Sequence, residues 1–373
     1  MPHDEPRRIT LRDVGAELGV SAKTVSNAYR RPEQLSPRLR EQILATAARL
    51  GYPGPDPLAS GLRRGRVGAV GFAYANRLSY AFDDPVSVEL LGGCSSAAEG
   101  AGAGLLLLAG SATPESRVAA LTGAVIDGLI VNSLTSDDPL LPVAIARRLP
   151  LVVIDQPEPE RLAALGAPGS PWVGIDDQAA ATRLAEHLLS LGHRRFGVVC
   201  FGLHRQPTRG LVDERAQAAA TYAVTRRRLA GFREAATRVG IDWTSVPVFQ
   251  GTDSTIAEGE AGANAVLASR PRPTALLCLS DRLAEGALRA AERHGLRVPD
   301  DLSVAGFDDA PPAAALGLTT VRQPNRRKGR LATEALLNRL AGRPVELVQT
   351  LATELIARSS AAPPPAARRA RTR

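Results

Sequence analysis

The first fifty residues alternate apolar and polar positions with the period of short helices. Three apolar residues repeat at helical spacing, namely Leu11, Val14 and Leu18. Thr10 can cap this helix together with Asp13, which follows three residues later and meets the positive helix end. Gly19 can end the helix in a left-handed conformation, and Ser21 can cap the next helix at once. Two short helices with almost no linker predict a helix-turn-helix.

The second predicted helix, residues 22–29, separates its side chains onto two faces. One arc holds Val25, Ala28 and Tyr29, and the other holds Ala22, Lys23, Ser26, Asn27 and Arg30. Lysine suits guanine or phosphate, asparagine suits adenine or a phosphate oxygen, and serine suits either. The polar face of a lone short helix is usually only solvated, but the tight turn before this one favours DNA contact.

A third helix is expected from Pro37, with Ser36 as its N-cap, and it ends at Gly51. Its apolar face carries Leu39, Ile43, Ala47 and Leu50. A run rich in proline and glycine then breaks the chain at residues 54–57, and one more short helix can start there and reach Leu62.

From residue 67 the pattern changes to apolar strands separated by helices. The predicted strands are residues 67–73, 105–109, 128–131, 151–155, 196–201, 246–249, 275–279 and 302–307. The predicted helices between them are residues 86–100, 114–123, 139–148, 177–191, 225–239, 256–268 and 282–294. Near-continuous apolar strands indicate parallel sheets covered on both faces. Two such series predict an α/β core of two Rossmann-like lobes, with a ligand cleft at the carboxyl ends of the strands.

Charge is unevenly spread over the 373 residues, whose net charge is +8. Residues 1–66 carry 12 Lys and Arg against 7 Asp and Glu, and the tail from residue 358 carries five Arg and no acid. The remainder is slightly acidic. A basic head on a near-neutral body predicts phosphate contact at one end and an affinity for DNA that falls with salt. The tail lacks apolar periodicity and is expected to be disordered.

Other classes of function find little support in the sequence. Three widely spaced cysteines without a CxxC pair suggest neither a disulfide framework nor a zinc site. The N-terminus has no signal-peptide core, and no run of 18 apolar residues occurs, so we expect a cytoplasmic protein without membrane contact. Nucleotide-binding, metalloprotease and hydrolase motifs are absent, and the five histidines lack ligand spacing and are expected mostly at the surface. We therefore expect no enzyme, no cofactor, no metal site and no catalytic residue.

Several runs together resemble the LacI/GalR family of bacterial regulators. They are TLRDVGAELGVSAKTVSNAY, SPRLREQILATAARLGY, DPLASGLRRGRVGAVGF and LLCLSDRLAEGALRAAERHGLRVPDDLSVAGFDD. The resemblance reaches about residue 357. It implies a helix-turn-helix DNA-binding head at 1–53, a hinge at 54–66 and a periplasmic-binding-protein-like core at 67–357. Within that core the N-lobe would comprise 67–175 and 324–349, and the C-lobe 176–323 and 350–357. Residues 358–373 would follow the core as the disordered basic tail.

The resemblance also implies how the head meets DNA. Lys23, Ser26 and Asn27 would read the major groove of a pseudo-palindromic operator, while Thr24 and its basic neighbours hold phosphates. Leu62 matches the hinge leucine that enters the minor groove, although an ordinary linker leucine is the alternative. Ser60 and Gly61 depart from the family pattern. The full expected DNA-binding set is Thr10, Ser21, Ala22, Lys23, Thr24, Ser26, Asn27, Arg30 and Leu62, used by a homodimer.

For the cleft, the resemblance implies a set of effector contacts: Asp155, Arg228, Ser280, Asp281, Asp308 and Gln323. Carboxylates accept pairs of sugar hydroxyls, while arginine and glutamine donate to oxygens. Asp281 can instead only cap the following helix, and Ser280 stands where the family often has asparagine. Three aromatic residues could stack on a sugar or base but are more often core: Tyr80, Phe82 and Trp172. Segments 157–171 and 203–222 depart from the usual family length and are expected near the rim of the cleft.

We therefore hypothesise a DNA-binding transcriptional regulator, a repressor, controlled by a small effector in the cleft. A sugar is the expected effector, and a purine or nucleoside is the alternative within the same family. A solute-binding receptor without DNA activity and a sugar-processing enzyme are the hypotheses from other classes. The sequence does not separate inducer from co-repressor logic, because both use one cleft.

Overall fold

A computed structural model describes residues 9–54, 66–74, 77–108, 113–205 and 208–365. The chain divides into a helical unit, Met1–Gly68, and an α/β unit, Ala69–Arg373. The predicted short helix of residues 56–62, including Leu62, lies outside the described residues, as do residues 366–373 of the predicted tail. Mixed α/β architecture with parallel sheets confirms the predicted fold class.

The helical unit contains α1 Leu11–Leu18, α2 Ala22–Arg30, a 3-10 turn Pro32–Gln34 and α3 Pro37–Leu50. Thr10 and Asp13 form a reciprocal capping box, and Ser21 and Ser36 cap α2 and α3. Gly19 and Gly51 end α1 and α3 in the left-handed conformation. These are the caps and stops that the sequence predicts. The apolar faces meet in one small core: Val14, Val25, Ala28, Ile43, Ala47 and Tyr52.

A close backbone approach at Gly15 makes the turn between α1 and α2 tight. The Val20 N–H donates to the Gly15 carbonyl oxygen at 2.9 Å. A Cβ atom at Gly15 would lie 2.7 Å from the Val20 carbonyl oxygen, closer than packed atoms approach one another. The turn therefore needs glycine at position 15.

The α/β unit contains thirteen strands among the described residues. They are β1 Ala69–Tyr74, β2 Gly104–Leu108, β3 Gly128–Asn132, β4 Leu151–Ile154, β5 Trp172–Ile175, β6 Phe196–Cys200, β7 Gly210–Leu211, β8 Val248–Gln250, β9 Ala275–Cys278, β10 Ser303–Ala305, β11 Thr320–Arg322, β12 Val348–Leu351 and β13 Glu354–Ile356. The N-lobe holds a six-stranded parallel sheet in the order β12-β5-β4-β3-β1-β2. The C-lobe holds a five-stranded sheet, β10-β9-β6-β8-β7, in which only β7 is antiparallel.

Twelve α-helices accompany these strands in the described part of the α/β unit. They are α4 Leu78–Asp83, α5 Pro85–Gly100, α6 Pro114–Gly123, α7 Leu140–Ala146, α8 Pro159–Ala164, α9 Asp177–Ser190, α10 Glu214–Ala218, α11 Ala223–Arg238, α12 Ile256–Leu267, α13 Asp281–Arg293, α14 Pro311–Ala315 and α15 Asn325–Leu340. The closest helix pairs are α5 with α15, α9 with α11 and α12 with α13. The chain passes between the lobes after β5, after β11 and after β12, and β11 pairs with β13 in a separate two-stranded ribbon.

Part of the tail is packed on the C-lobe, so the prediction of disorder from residue 358 is wrong for residues 358–365. Ser360 is buried, and its hydroxyl donates to the Val304 carbonyl oxygen at 2.6 Å. Arg358 donates to Asp309 Oδ1 at 2.7 Å. Small side chains let this segment lie close to the lobe and exchange backbone hydrogen bonds with it, which composition alone does not show.

His193 is a buried exception to the expectation that most histidines lie at the surface. Its side chain is buried, and its ring nitrogens lie 2.9 Å from Thr274 Oγ1 and 2.9 Å from the Ala362 carbonyl oxygen. Burial lowers the pKa of the imidazole. The histidine thus links the end of α9 to the C-terminal segment.

Candidate ligand cavity and helix-turn-helix surface

Helix α2 presents one polar face, as predicted. Val25 and Ala28 are buried in the core, whereas Lys23 and Arg30 are exposed. Asn27 lies on the same outer face, and its Nδ2 donates to Gln34 Oε1 at 3.1 Å. Asparagine is a residue type that can form two hydrogen bonds with the edge of an adenine base.

The hydroxyl groups at the helix starts already cap their own helices. Ser21 Oγ accepts from the Thr24 N–H at 3.0 Å and lies 2.8 Å from Thr24 Oγ1. Thr10 Oγ1 donates to Asp13 Oδ2 at 2.7 Å. Eight of the nine predicted DNA-binding residues therefore lie at the first turn of α1 or along α2, and Leu62 lies outside the described residues.

In the α/β unit, a cavity of about 320 Å³ lies between the two lobes. It opens where strands end: β1, β3 and β4 in the N-lobe, and β6, β8, β9 and β10 in the C-lobe. The carboxyl ends of parallel strands are the expected place for a ligand in such sheets. Three residues of its wall have positive φ without being glycine, namely Ser133, Asp155 and Asp308. Backbone strain of this kind is concentrated at binding sites.

A continuous polar network crosses the cavity wall. Lys328 Nζ donates to Asp155 Oδ1 and to Gln323 Oε1, both at 2.7 Å. Gln323 Nε2 in turn donates to Asp308 Oδ1 at 2.6 Å. Three of the predicted effector residues, Asp155, Asp308 and Gln323, are thus brought together, with a lysine between two of them.

Arg228 continues the network on the C-lobe side and is held rigidly. Its Nε donates to Asp177 Oδ1 at 2.8 Å, and its Nη1 donates to the Leu279 carbonyl oxygen at 2.6 Å. The guanidinium also lies 3.7 Å from the centre of the Phe307 ring and 3.7 Å from Asp308 Oδ1. Burial raises the pKa of Asp308 well above its usual range, although Arg228 opposes this shift.

The remaining two predicted effector residues, Ser280 and Asp281, have different environments. Ser280 lines the cavity, caps α13, and its Oγ lies 2.7 Å from Ser254 Oγ. Asp281 is not in the cavity wall, which corrects its predicted role. Its Oδ1 accepts from Thr320 Oγ1 at 2.6 Å and its Oδ2 from the Ala310 N–H at 2.8 Å. Both carboxylate oxygens are thus bonded to residues that follow β10, and they join that part of the chain to the start of α13. Burial raises the pKa of Asp281 to about 6.

The three aromatic candidates have different environments. Tyr80 lines the cavity, stacks on Tyr74 with ring centroids 6.4 Å apart, and donates its hydroxyl to the Ser254 carbonyl oxygen at 2.8 Å. Trp172 is buried in the N-lobe core, and Phe82 is 60% exposed. Of the three, only Tyr80 can touch a bound ligand.

Sequence reasoning missed Lys328, which is 1% exposed. Helix α15, where it lies, was not predicted, and a lysine in a basic run reads as a surface residue. The signal was its spacing: Asn325 and Lys328 share a helical face just after Gln323, and both line the cavity. Gly329 brings α15 close to α5, because a Cβ there would lie 2.0 Å from the Leu90 carbonyl oxygen.

The enlarged segment 203–222 also contributes to the cavity. His204, Arg205 and Tyr222 line it, and the Arg205 Nη1 donates across to the Asp137 carbonyl oxygen at 3.3 Å. No family pattern covers this segment, so these residues could not be named from the resemblance.

The described residues meet neither the requirements of a metal site nor those of a reactive thiol. Among them, no three His, Cys, Asp or Glu side chains are grouped to hold a metal ion. Burial raises the pKa of the Cys94 thiol to about 11 and that of Cys200 to about 12, which makes both poor nucleophiles. No helix in the described part of the chain is both long and apolar enough to cross a membrane.

Comparison with known proteins decides the family. Residues 185–361 match the periplasmic binding protein-like domain. An HTH-type transcriptional regulator of Mycobacterium tuberculosis is 43% identical over 96% of this chain and 98% of its own length. The chain is also similar to the lac repressor dimer bound to operator and the anti-inducer ONPF, with a TM-score of 0.75, 25% identity and coverage of 95% and 100%. The chain belongs to the LacI/GalR family.

A second solved LacI/GalR structure is that of the transcriptional regulator CelR in complex with cellobiose. It gives a TM-score of 0.67 at 28% identity, and the match covers 95% of this chain and all of the other. The protein is thus a LacI/GalR transcriptional regulator with a helix-turn-helix DNA-binding head and a periplasmic-binding-protein-like core.

Proposed function

We propose that this LacI/GalR regulator is a repressor that binds a pseudo-palindromic operator as a homodimer in the cytoplasm. A neutral sugar bound in the cavity of about 320 Å³ controls its operator affinity. The observation that carries the proposal is the network of Asp155, Lys328, Gln323 and Asp308 in that cavity. Neighbouring carboxylate and amide groups of this kind recognise sugar hydroxyls, each of which both donates and accepts.

Charge favours a neutral ligand over a phosphorylated one. The two buried cations of the wall are already paired, Lys328 with Asp155 and Arg228 with Asp177. Asp84 and Asp253 add further carboxylates to the wall. Within the described wall, an anionic group would therefore meet several acids and no unpaired buried cation, with the half-buried Arg205 as the further cation. The cellobiose complex of CelR is consistent with a sugar.

The alternative purine or nucleoside effector is less well supported. Bases are recognised by aromatic stacking, but Tyr80 already stacks on Tyr74. The Arg282 guanidinium also lies 5.3 Å from the centre of the Tyr80 ring. Little of this ring is left for a base, so a stacked purine would have to use Tyr222 or Phe201, which also line the cavity.

Several contacts join the lobes around the cavity and can transmit ligand binding. Tyr80 donates to the Ser254 carbonyl oxygen at 2.8 Å, Gln156 Oε1 accepts from the Val224 N–H at 3.0 Å, and Arg226 pairs with Glu158 at 2.9 Å. A ligand that fits one lobe arrangement better than another shifts the equilibrium between them. The dimer would convert that shift into altered spacing of its two DNA-binding heads.

An exposed apolar surface supports a homodimer. Phe82 in α4 and Val88 in α5 are 60% and 48% exposed, and Leu106 in the edge strand β2 is 40% exposed. Large apolar side chains on neighbouring elements mark an interaction surface. The lac repressor, similar over its whole length, is a dimer on its operator.

The test begins with selection of genomic fragments that the full-length protein retains. Operator affinity is then measured by fluorescence anisotropy with and without sugars, sugar phosphates and purines, and thermal shifts identify which compounds bind. We expect a neutral sugar to change the affinity at least tenfold and Asp308→Asn to abolish that response while operator binding persists. Asp137→Asn, an exposed loop position, is the matched control.

Two results would contradict the proposal in different ways. Absence of any preferred genomic site would support a solute-binding receptor without DNA activity. A response to purines alone would retain the regulator and replace the effector.

A further inference from the structure

A second cavity, of about 230 Å³, lies beside the first one. Gln156 lines both and stands between them, with Nε2 donating to the Ser133 carbonyl oxygen and Oε1 accepting from the Val224 N–H. The walls of the second cavity include residues of both segments of unusual length, 157–171 and 203–222. We propose that this second cavity binds a phosphate or phosphoryl group.

An unpartnered buried hydroxyl points to a ligand there. Thr135 is 1% exposed and lines this cavity, and its Oγ1 has no hydrogen-bond partner within the described residues. Buried polar atoms are nearly always hydrogen-bonded, so an exception of this kind needs an explanation. A phosphate oxygen in the cavity would accept a hydrogen bond from the Thr135 hydroxyl group.

The start of α11 supplies a second, independent feature. This helix, Ala223–Arg238, has 16 residues, and its N-cap residue Tyr222 makes no side-chain capping bond. Gln156 accepts from the Val224 N–H, and Ala223 lies in the cavity wall. The first N–H groups of a helix lack partners within it, and the helix dipole places partial positive charge at that end. Oxyanions bind at such helix starts.

The charges around the cavity have the sign that an anion requires. Arg161 and Arg226 line it, whereas Glu158 is the one acidic residue in its described wall. Glu158 is neutralised by Arg226 at 2.9 Å and by Arg227 at 3.4 Å. The cluster therefore carries a positive surplus, in contrast to the paired charges of the first cavity.

A phosphate here would bridge the two lobes. Thr135 and Arg161 belong to the N-lobe, and Ala223 and Arg226 belong to the C-lobe. Binding would favour the arrangement in which these four residues surround one cavity, and Gln156 lines both this cavity and the first one. The site would therefore be a second input to the regulator, and its existence does not depend on the sugar effector.

The test uses the full-length protein with three probes at constant ionic strength: inorganic phosphate, glucose 6-phosphate and glucose. Thermal shift and titration calorimetry are run on the wild type, Thr135→Val and Arg161→Gln. Arg327→Gln removes an exposed arginine elsewhere and is the matched control. We expect phosphate to stabilise the wild type and Arg327→Gln equally, and its affinity to fall at least tenfold in the other two variants. Thr135→Val should fold normally, because the lost hydroxyl has no partner.

The probes separate the source of the phosphate group. Tighter binding of glucose 6-phosphate than of phosphate, lost in the same two variants, would identify a phosphorylated metabolite, and the reverse order would identify the free ion. Equal phosphate binding by all variants would place the anion elsewhere, on the basic head for instance, and overturn the proposal, as would no phosphate binding by the wild type. Loss of a sugar response with phosphate binding intact would contradict only the proposed effector.

Discussion

Lys328 Nζ lies 2.7 Å from Asp155 Oδ1, so that a buried cation on α15 neutralises a carboxylate at the end of β4. The lysine is 1% exposed as a residue, whereas the Asp155 side chain is 17% exposed and faces the cavity. One oxygen of Asp155 is fixed by this ion pair, and the other can receive a ligand hydroxyl. The pair thus presents a carboxylate acceptor without adding net charge.

Breaking this pair should destabilise the core. Lys328→Met leaves Asp155 without its cation, and removal of one partner of a buried ion pair typically costs about 3–5 kcal/mol. We expect the lower part of that range because Asp155 is partly open to the cavity. The double variant Lys328→Met with Asp155→Asn should recover part of the loss. Denaturant unfolding of the wild type, both single variants and the double variant measures the coupling, and strict additivity would show that the two side chains do not interact.

Gly15→Ala should disturb the DNA-binding head. The added methyl group would meet the Val20 carbonyl oxygen at 2.7 Å, so the turn between α1 and α2 must open. We expect about 1–3 kcal/mol of local destabilisation, seen as faster amide exchange in α2, together with weaker operator binding. Gly123→Ala, where the methyl group meets nothing within 4 Å, is the control. Unchanged exchange in Gly15→Ala would show that the turn can relax freely.

The base-reading role of α2 can be tested by its outer residues. Exchanging Lys23 and Asn27 together for another pair should change which duplexes are selected from a randomised pool, because base-edge contacts carry sequence information. Gln34 would also lose its contact with Asn27. Changing Arg63 or Arg64, two basic residues near the end of the predicted hinge segment 54–66, should weaken all duplexes about equally. A uniform loss from the first exchange would mean that Lys23 and Asn27 touch only phosphates.

The C-terminal segment should loosen in mild acid. Burial holds the pKa of His193 below the ordinary value of about 6.5. Above that value His193 is neutral in both states and its contribution is complete. As the pH falls below about 6.5, the unfolded chain takes up a proton that the buried ring resists, so stability decreases.

Amide hydrogen exchange of residues 358–362, corrected for intrinsic rates, measures this effect between pH 7.5 and 5.5. His193→Gln should flatten the pH dependence, whereas the exposed His294, changed to Gln, should leave it intact. The same slope in wild type and His193→Gln would exclude His193 as the cause.

Much of the architecture could be predicted from local patterns. The caps at Thr10, Ser21 and Ser36 and the stop at Gly19 are set by neighbouring residues, so the sequence reveals them directly. Buried strands such as β3 and β9 are continuous apolar runs. Strands β11 and β13 escaped prediction because each has three residues and acquires its pairing only from the other.

The residues that line the cavity could be predicted where they belong to family motifs and not where their position depends on packing. Asp155, Arg228, Ser280, Asp308 and Gln323 line the cavity, as the motifs suggested. Asp281 lies next to Ser280 in sequence, yet it points to Thr320 and Ala310 instead. Lys328 reaches the cavity only because α15 lies against α5, a relationship between elements that are distant along the chain.

The C-terminal segment, residues 358–365, limits where this chain can be truncated. Strand β10 lies at the edge of the C-lobe sheet, and the Val304 N–H donates to the Ser360 carbonyl oxygen at 2.9 Å. Residues around Ser360 therefore shield a strand edge that would otherwise invite self-association. A truncation after residue 357 would strip that shield and favour aggregates, whereas one after Pro365 would leave it in place.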